Sequence, residues 1–161
     1  KTGYRCDYSN MLQQLIHQNP TGAVEFAKKL ASVDGGALID IQQVTDIFLR
    51  MNRVQECTAF LLEALKENRQ DQAMLQTKLL EMNLLGGSPQ VADAIMQNNM
   101  FTHYDRQQIA QLCEKAGLFQ RAAEHFTDLQ DIKRVMANTH NMGKLLVLRH
   151  NAYHKSTRHS V

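Results

Sequence analysis

The sequence predicts an all-α fold, an α-solenoid of stacked antiparallel helical hairpins. Apolar residues recur at three- and four-residue spacing, helix-stop signals recur every thirty-odd residues, and no segment alternates apolar and polar residues as a strand would. The composition agrees, because the 161 residues include only two prolines, eight glycines and no tryptophan. A hydrophobic content of 43% is ample for a core.

The clearest hairpin lies between residues 105 and 126. Asp105 can cap its first helix, because its carboxylate can accept the N–H groups of the first turn. Gly117 stands where that helix must end, in a position that favours a left-handed backbone. The two apolar stripes on either side of this stop are Ile109, Leu112, Cys113 and Ala116, then Phe119, Ala122, Ala123 and Phe126. With no room for a long connection, the two helices must fold back on each other.

The same hairpin recurs earlier in the chain. A step of 65 residues carries Asn52, Cys57 and Leu61 onto Gly117, Ala122 and Phe126. A step of 30 residues carries Gly87, Ala92 and Met96 onto the same three positions. Asparagine is the second choice after glycine for a left-handed helix stop, so the turn chemistry is kept. Each hairpin therefore needs a neighbour to bury its apolar face.

Caps and stops place the remaining helices. The first four helices are predicted from an Asp7 cap to about Gln18, from Asn19-Pro20 to near Val33, from an Asp40 cap through Met51, and from about Arg53 to Glu67. The others are predicted through Leu75, Leu79, Met82 and Leu85 to the Gly86-Gly87 stop, from Ser88-Pro89 onward, and from an Asp131 cap to about Asn138. The links are too short to separate domains, so one stack of helices is expected. The positions expected to carry its apolar spine are Val44, Phe48, Val54, Cys57, Phe60, Leu61, Leu79, Val91, Ile95, Ile109, Leu112, Ala122 and Phe126, with Asn52 and Gly117 as stops.

No enzyme site is predicted. The chain has no glycine-rich phosphate loop, no nucleophile elbow and no metal-binding quartet, so no catalytic, cofactor-binding or metal-ligating residue is assigned. His150 and His154 stand four apart, but no glutamate or cysteine pair completes a zinc site. His103 and His125 are expected to make hydrogen bonds within or between helices. The three cysteines, Cys6, Cys57 and Cys113, are expected to be free thiols in a reducing compartment.

Charge is divided unevenly along the chain. Residues 1–131 contain 12 basic and 16 acidic residues, whereas residues 132–161 contain six basic and no acidic ones. The basic end lacks interleaved aromatic residues and any nucleic-acid module, so a solvated tail is expected and no nucleic-acid partner. No apolar stretch of eighteen residues and no signal peptide is present, which predicts a soluble, cytosolic chain.

Several phrases of the sequence resemble the leg of the clathrin heavy-chain family. They are Thr58–Leu62, Leu75–Lys78, Leu80-Glu81, Val91–Ile95, Met100–Arg106, Ala110–Leu118, His125-Phe126, Asp131–Arg134 and Thr139-His140. The resemblance covers roughly Lys1 to His140. It implies a leg segment built from clathrin heavy-chain repeats, in a protein that polymerises as a three-legged unit into a polyhedral coat on transport vesicles.

The resemblance also implies an organisation, partners and a location. Residues 1–140 are expected to form the repeat segment, and residues 141–161 a basic, histidine-containing tail that is poorly ordered or a non-native continuation. Partners would be other heavy-chain legs in a lattice, with light chain and adaptors bound only through regions absent from this chain. Contact with the membrane would be indirect, at the cytosolic face of coated pits and coated vesicles.

Two functions from different classes compete. In the first, the chain is a non-enzymatic scaffold segment that acts in vesicle-mediated transport and endocytosis through stacked repeats. In the second, it is an adaptor of the tetratricopeptide or HEAT type that captures a peptide in a groove. Such a groove would be lined by Asn, Lys and Arg from successive hairpins. The polar positions do not repeat in register whereas the apolar and small ones do, which favours the scaffold.

Overall fold

The computed structural model describes residues 6–32 and 36–141 of the chain. Within these ranges the regular structure is helical, with no strand, which confirms the all-α prediction. The helices are α1 (Tyr8–Gln18), α2 (Pro20–Ala31), α3 (Ile41–Arg50), α4 (Val54–Ala64), α5 (Ala73–Leu85), α6 (Pro89–Gln97), α7 (Arg106–Lys115), α8 (Phe119–His125) and α9 (residues 129–141). One turn of 3-10 helix, Gln70–Gln72, precedes α5.

The chain divides into two compact units, Lys1–Tyr104 and Asp105–Val161. In the first unit, α1 pairs with α2, α3 with α4 and α5 with α6. These three hairpins are stacked, because α2 also packs against α4, and α4 against α5. In the second unit α7 packs against α8. The prediction of stacked helical hairpins is confirmed.

The core of the first unit runs through successive hairpins. Its fully buried large apolar side chains are Leu12, Ile16, Val44, Ile47, Phe48, Phe60, Leu61, Leu65, Leu79 and Leu80. Burying one such side chain is worth about 1.5–3 kcal/mol. The rings of Phe48 on α3 and Phe60 on α4 add a tilted aromatic contact, with centroids 6.2 Å apart.

Three of the predicted spine positions are less buried than expected. Val54 and Leu112 are half-buried, and Val91 is 38% exposed. Val91 lies in the first turn of α6, where the buried face is carried by Ala92, Ile95 and Met96. Leu85, predicted on the stripe of α5, is also exposed, because α5 ends there.

Three predicted N-caps make the expected bond. The side chains of Asp7, Asn19 and Asp105 accept from the N–H of Asn10, Gly22 and Gln108 at 3.0, 3.0 and 2.9 Å. Asp40 and Ser88 occupy the cap position of α3 and α6, but no side-chain cap bond forms there.

Some helix limits differ from the prediction. α2 ends at Ala31 and α4 at Ala64, both earlier than expected. α9 starts earlier, because Asp128 rather than Asp131 is its cap. The Oδ1 atom of Asp128 accepts from the N–H of Gln130 at 2.8 Å and of Asp131 at 3.3 Å. Except for Asn141, the predicted tail at 141–161 lies outside the described residues.

Candidate functional site: the hairpin corners and their supports

The three predicted hairpin corners share one backbone conformation. The corner residues have positive φ angles: Asn52 56°, Gly87 82° and Gly117 80°. In each corner the next N–H donates to the carbonyl five residues earlier: Arg53 to Phe48 (2.9 Å), Ser88 to Asn83 (3.1 Å) and Leu118 to Cys113 (2.8 Å). This bond satisfies a carbonyl that the helix end would leave without a partner. The sequence alignment of the corners is therefore confirmed in three dimensions.

The two positions that follow each corner are also equivalent. Five residues after the corner stand Cys57, Ala92 and Ala122, each with 0% exposure. Nine residues after it stand Leu61, Met96 and Phe126, all buried. A small residue at the first position lets the second helix of the hairpin approach closely, and a larger one at the second fills the space. Each corner thus begins the same packing arrangement.

A fourth corner was not predicted. Asn99, two residues after the end of α6, has a φ of 49°, and the N–H of Met100 donates to the carbonyl of Ile95 at 3.3 Å. No helix begins at once after it. The chain instead continues without regular structure to Asp105. The Asn98-Asn99 pair after the stripe of α6 was the available signal.

The segment after this corner is held by side chains of the first unit. The N–H of Thr102 donates to Oδ1 of Asn68 at 3.1 Å, and the N–H of His103 donates to Oε1 of Gln76 at 2.9 Å. Nδ2 of Asn68 donates back to Oγ1 of Thr102 at 3.0 Å. Phe101 and Tyr104, beside these two residues, are buried. This network holds the backbone of residues 102 and 103 against Asn68 and Gln76.

Gln76 is the centre of that network. Its side chain is fully buried on α5, and its Nε2 donates to Oδ1 of Asn68 at 3.1 Å and to the carbonyl of Arg69 at 3.3 Å. A buried amide of this kind is stable only when its polar atoms are bonded. No structural role was predicted for Gln76 or Asn68. The available signal for Gln76 was its position three residues before Leu79, which places both on the same side of α5.

A second buried polar contact joins two hairpins. Asn83 on α5 donates from Nδ2 to Oγ1 of Thr58 on α4 at 3.0 Å and to the carbonyl of Leu79 at 2.9 Å. Thr58 itself donates to the carbonyl of Val54 at 2.8 Å. The side chains of Thr58 and Asn83 can bond to each other in one alignment of α4 and α5, so this pair fixes the register of the two helices.

In the second unit, Arg134 ties α9 to α7. Its guanidinium donates from Nε and Nη2 to the two carboxylate oxygens of Glu114, both at 2.9 Å, and from Nη1 to Asp131. It also lies over the ring of Phe126, 5.7 Å from the centroid. The hydrogen bond from Arg134 lowers the pKa of Glu114. The Asp131–Arg134 phrase thus carries a specific geometric role.

His103 and His125, which lie in the phrases that carry the family resemblance, differ in burial. The imidazole of His103 is exposed, and its backbone N–H makes the bond described above. His125 is buried, and its Nδ1 lies 2.8 Å from the carbonyl of Arg121, one turn earlier in α8. Burial lowers the pKa of His125, and this outweighs the opposing effect of the bond to that carbonyl.

The three cysteines lie in different environments. Cys57 and Cys113 are buried, Cys6 is exposed, and none of the three forms a disulfide. Burial raises the pKa of the Cys57 thiol to about 12, with a smaller contribution from the charge of Asp46. Its Sγ lies 3.9 Å from the carbonyl of Thr45, in the interface of α3 with α4.

Among residues 6–32 and 36–141, no group of three or more His, Cys, Asp or Glu is arranged to hold a metal ion. No helix in the same ranges combines the length and the apolar content needed to cross a bilayer.

One groove bears on the adaptor hypothesis. It has a volume of about 390 Å³ and lies between α2 and α4. Its rim carries two ion pairs, Lys28 with Glu25 at 2.8 Å and Lys66 with Glu63 at 2.7 Å. Its lining includes Lys28 and Lys66 but neither Asn nor Arg, so one of the three residue types expected of a peptide-binding face is present. Because both lysines are paired with glutamates, the groove gives the adaptor hypothesis little support.

Known proteins are similar in sequence to most of this chain. A family model described as "Region in Clathrin and VPS" matches residues 33–160. The chain is 56% identical over 140 residues to a clathrin heavy chain of Drosophila melanogaster, 53% to clathrin heavy chain 2 of Oryza sativa subsp. japonica and 52% to clathrin heavy chain 2 of Homo sapiens. Each match covers 87% of this chain and 8% of the relative, so the chain spans a small part of their length.

Proposed function

This chain belongs to the clathrin family, and from that premise we propose that it serves as a structural segment of a clathrin-type coat leg. The observation that carries the proposal is the recurrence of one corner at Asn52, Gly87 and Gly117, each followed by the same small and large buried positions. Such a repeat makes each hairpin depend on its neighbour for burial. The segment would then act mechanically, resisting bending because its interfaces are packed to interior density.

The partners proposed for the chain follow from its relatives. They would be other heavy-chain legs in a lattice, where contacts that are weak singly become strong together because many form at once. Light chain and adaptors would bind regions of the full-length protein outside this chain. We propose no nucleic-acid partner, cofactor, metal ion or catalytic residue for the chain. The proposed role is structural and not enzymatic.

The proposed setting is the cytosolic face of coated pits and coated vesicles. There the segment would take part in endocytosis and vesicle-mediated protein transport, with membrane contact made indirectly through other parts of the coat. Within the chain, we retain residues 1–140 as the repeat segment and 141–161 as a separate basic tail.

A chimaera tests the scaffold role. The matching segment of the Drosophila melanogaster clathrin heavy chain would be replaced by this chain's matching residues, and coat assembly would be followed by sedimentation and electron microscopy. We expect coats of normal form, because the corners and buried spine supply the same mechanical unit. The unmodified heavy chain is the reference.

A second chimaera serves as a control, in which Gly117→Val weakens a corner. It should assemble less well than the first. A folded first chimaera that forms no coats would contradict the scaffold proposal, and tight capture of isolated peptides by its groove would favour the adaptor instead.

A further inference from the structure

The last described helix, α9, carries an apolar face that the described residues leave largely open. Leu129 is 61% exposed and Met136 is 55% exposed, and Ile132 between them is half-buried. These positions are spaced at i, i+3 and i+7, so the three side chains lie on one side of the helix. We propose that this face is a docking site for another segment of the same chain, the apolar run Leu145–Leu148.

The other side of α9 is already occupied. Val135 is fully buried, and the guanidinium of Arg134 donates to both carboxylate oxygens of Glu114 on α7 at 2.9 Å. Because successive residues of an α-helix are rotated by about 100°, Met136 points away from Arg134. The open face of α9 therefore needs a partner other than α7.

The order of the helices indicates which part of the chain this partner is. α1 pairs with α2, α3 with α4, α5 with α6 and α7 with α8, so each odd-numbered helix pairs with the helix that follows it. α9 is the next odd-numbered helix, and its contact with α7 corresponds to the contact of α3 with α1. By this order, the residues that follow α9 in the sequence are the ones expected to pack on it.

The sequence after α9 supplies one suitable segment. Twenty residues follow Asn141, and their only run of consecutive large apolar residues is Leu145–Leu148. α4, α6 and α8 each begin two residues after a corner, and Leu145 likewise stands two residues after Gly143. The match with the family model also continues past α9, to residue 160. The run thus stands where the second helix of a hairpin would begin.

The link between α9 and this run is short enough to favour contact within one chain. Its three residues, Met142 to Lys144, can span about 10 Å, which is the distance between the axes of two packed helices. A segment tethered so closely has an effective concentration in the millimolar range, far above that of a second molecule in dilute solution. The run differs from the corners in one respect, because Leu148 stands where they have a small residue. The contact should therefore be made between side chains, without close approach of the backbones.

This contact would join the basic tail to the repeat segment through the one apolar part of the tail. The residues from Arg149 onward are mostly polar and basic, so the tail keeps the charge expected from its sequence. The inference does not depend on the scaffold role, because coat assembly by the chimaera could fail while the contact on α9 stays intact.

Oxidation of methionine by hydrogen peroxide measures whether the face is covered. Met74 on α5 is 83% exposed and serves as the reference within the same molecule. In the full chain we expect Met136 to be oxidised several-fold more slowly than Met74, because Leu145 and Leu148 shield its sulfur. Mass spectrometry of peptides after a series of reaction times gives both rates.

A double variant, Leu145→Asp with Leu148→Asp, should bring the oxidation rate of Met136 close to that of Met74, because two carboxylates are too costly to bury against an apolar face. The matched control, Ser156→Asp with Ser160→Asp, adds the same charge outside the run. It should leave Met136 as slow to react as in the wild type.

Equal oxidation rates for Met136 and Met74 in the wild type, or the same slow rate for Met136 in both double variants, would overturn the proposal. Protection of Met136 that appears only at high protein concentration would overturn it as well, because a second copy would then cover the face. If the leucine double variant does not fold, NMR of the wild type decides. Magnetisation transfer between the methyl groups of Met136 and those of Leu145 or Leu148 would support the contact, and its absence would exclude it.

Discussion

At the scale of single residues, the residue type allowed at a corner is determined by the backbone conformation there rather than by the space around its side chain. A Cβ placed on Gly117 meets no heavy atom within 4 Å, so the left-handed φ of 80° is what restricts the position. Asn52 has a φ of 56° at the equivalent corner, because asparagine tolerates the left-handed region better than other residues with a side chain. Residue choice at a corner is therefore narrow.

Replacing Gly117 tests this restriction. Gly117→Val should destabilise the chain by about 1–2 kcal/mol, because a β-branched residue is strained at positive φ. Gly117→Asn, which copies the residue at Asn52, should cost clearly less. Thermal unfolding followed by circular dichroism measures both variants. Equal melting temperatures for the valine variant and the wild type would show that the corner relaxes to another conformation.

The three thiols should differ in reactivity. An alkylating reagent at pH 8 should modify Cys6 and leave Cys57 and Cys113 intact, because the latter two are buried and burial raises the pKa of Cys57 to about 12. Mass spectrometry after brief labelling counts the modified thiols. All three should react in 8 M urea, which serves as the control. Rapid native labelling of Cys57 would mean that α3 and α4 separate readily.

At the scale of elements, close approach of paired helices depends on the small residue five positions after each corner. Ala122 is fully buried against its neighbours, as is Ala92 in α6. Ala94, by contrast, is an exposed alanine in the same helix as Ala92. The chain thus offers buried and exposed alanines for comparison.

Enlarging a buried alanine should separate the helices. Ala122→Leu should cost about 1–3 kcal/mol, because three added carbons must fit into a filled interface. Ala94→Leu should change stability little. Chemical denaturation of both variants measures the difference. A loss no greater for Ala122→Leu than for Ala94→Leu would show that the α7–α8 interface has unfilled space.

The polar network around α5 gives a second test at this scale. Gln76→Leu should cost about 1–3 kcal/mol, because it removes the acceptor for the His103 N–H and a donor to Asn68. Gln97→Leu, at an exposed position of α6, is the control. Amide hydrogen exchange at Thr102 and His103 should accelerate in the first variant alone. Unchanged exchange there would mean that Phe101 and Tyr104 hold the segment without the network.

The sequence could predict some of these elements and not others. Corners were predictable, because a left-handed stop requires a particular residue type at a fixed distance from apolar positions. The network of Asn68, Gln76 and Thr102 was not, since the residues that its bonds join stand 8 and 34 positions apart and meet only after the hairpins stack. The start of α9 was misplaced because Asp128 and Asp131 are both good caps, and the structure shows which carboxylate reaches the N–H groups.

At the scale of the whole molecule, each compact unit has its own means of fixing helices to one another. The first unit uses stacked hairpins and the buried pair of Thr58 with Asn83. The second uses the α7–α8 hairpin and the Arg134 contacts with Glu114.

The recurring corner has a consequence for how such a chain can change over time. The turn depends on a glycine or asparagine, on a small residue five positions later and on a buried side chain beyond that, while the outward positions of each helix enter none of these requirements. Substitutions there would alter what a hairpin offers to its surroundings and leave the turn as it is. Lineages could therefore diversify the outside of the repeat independently of the framework that spaces it.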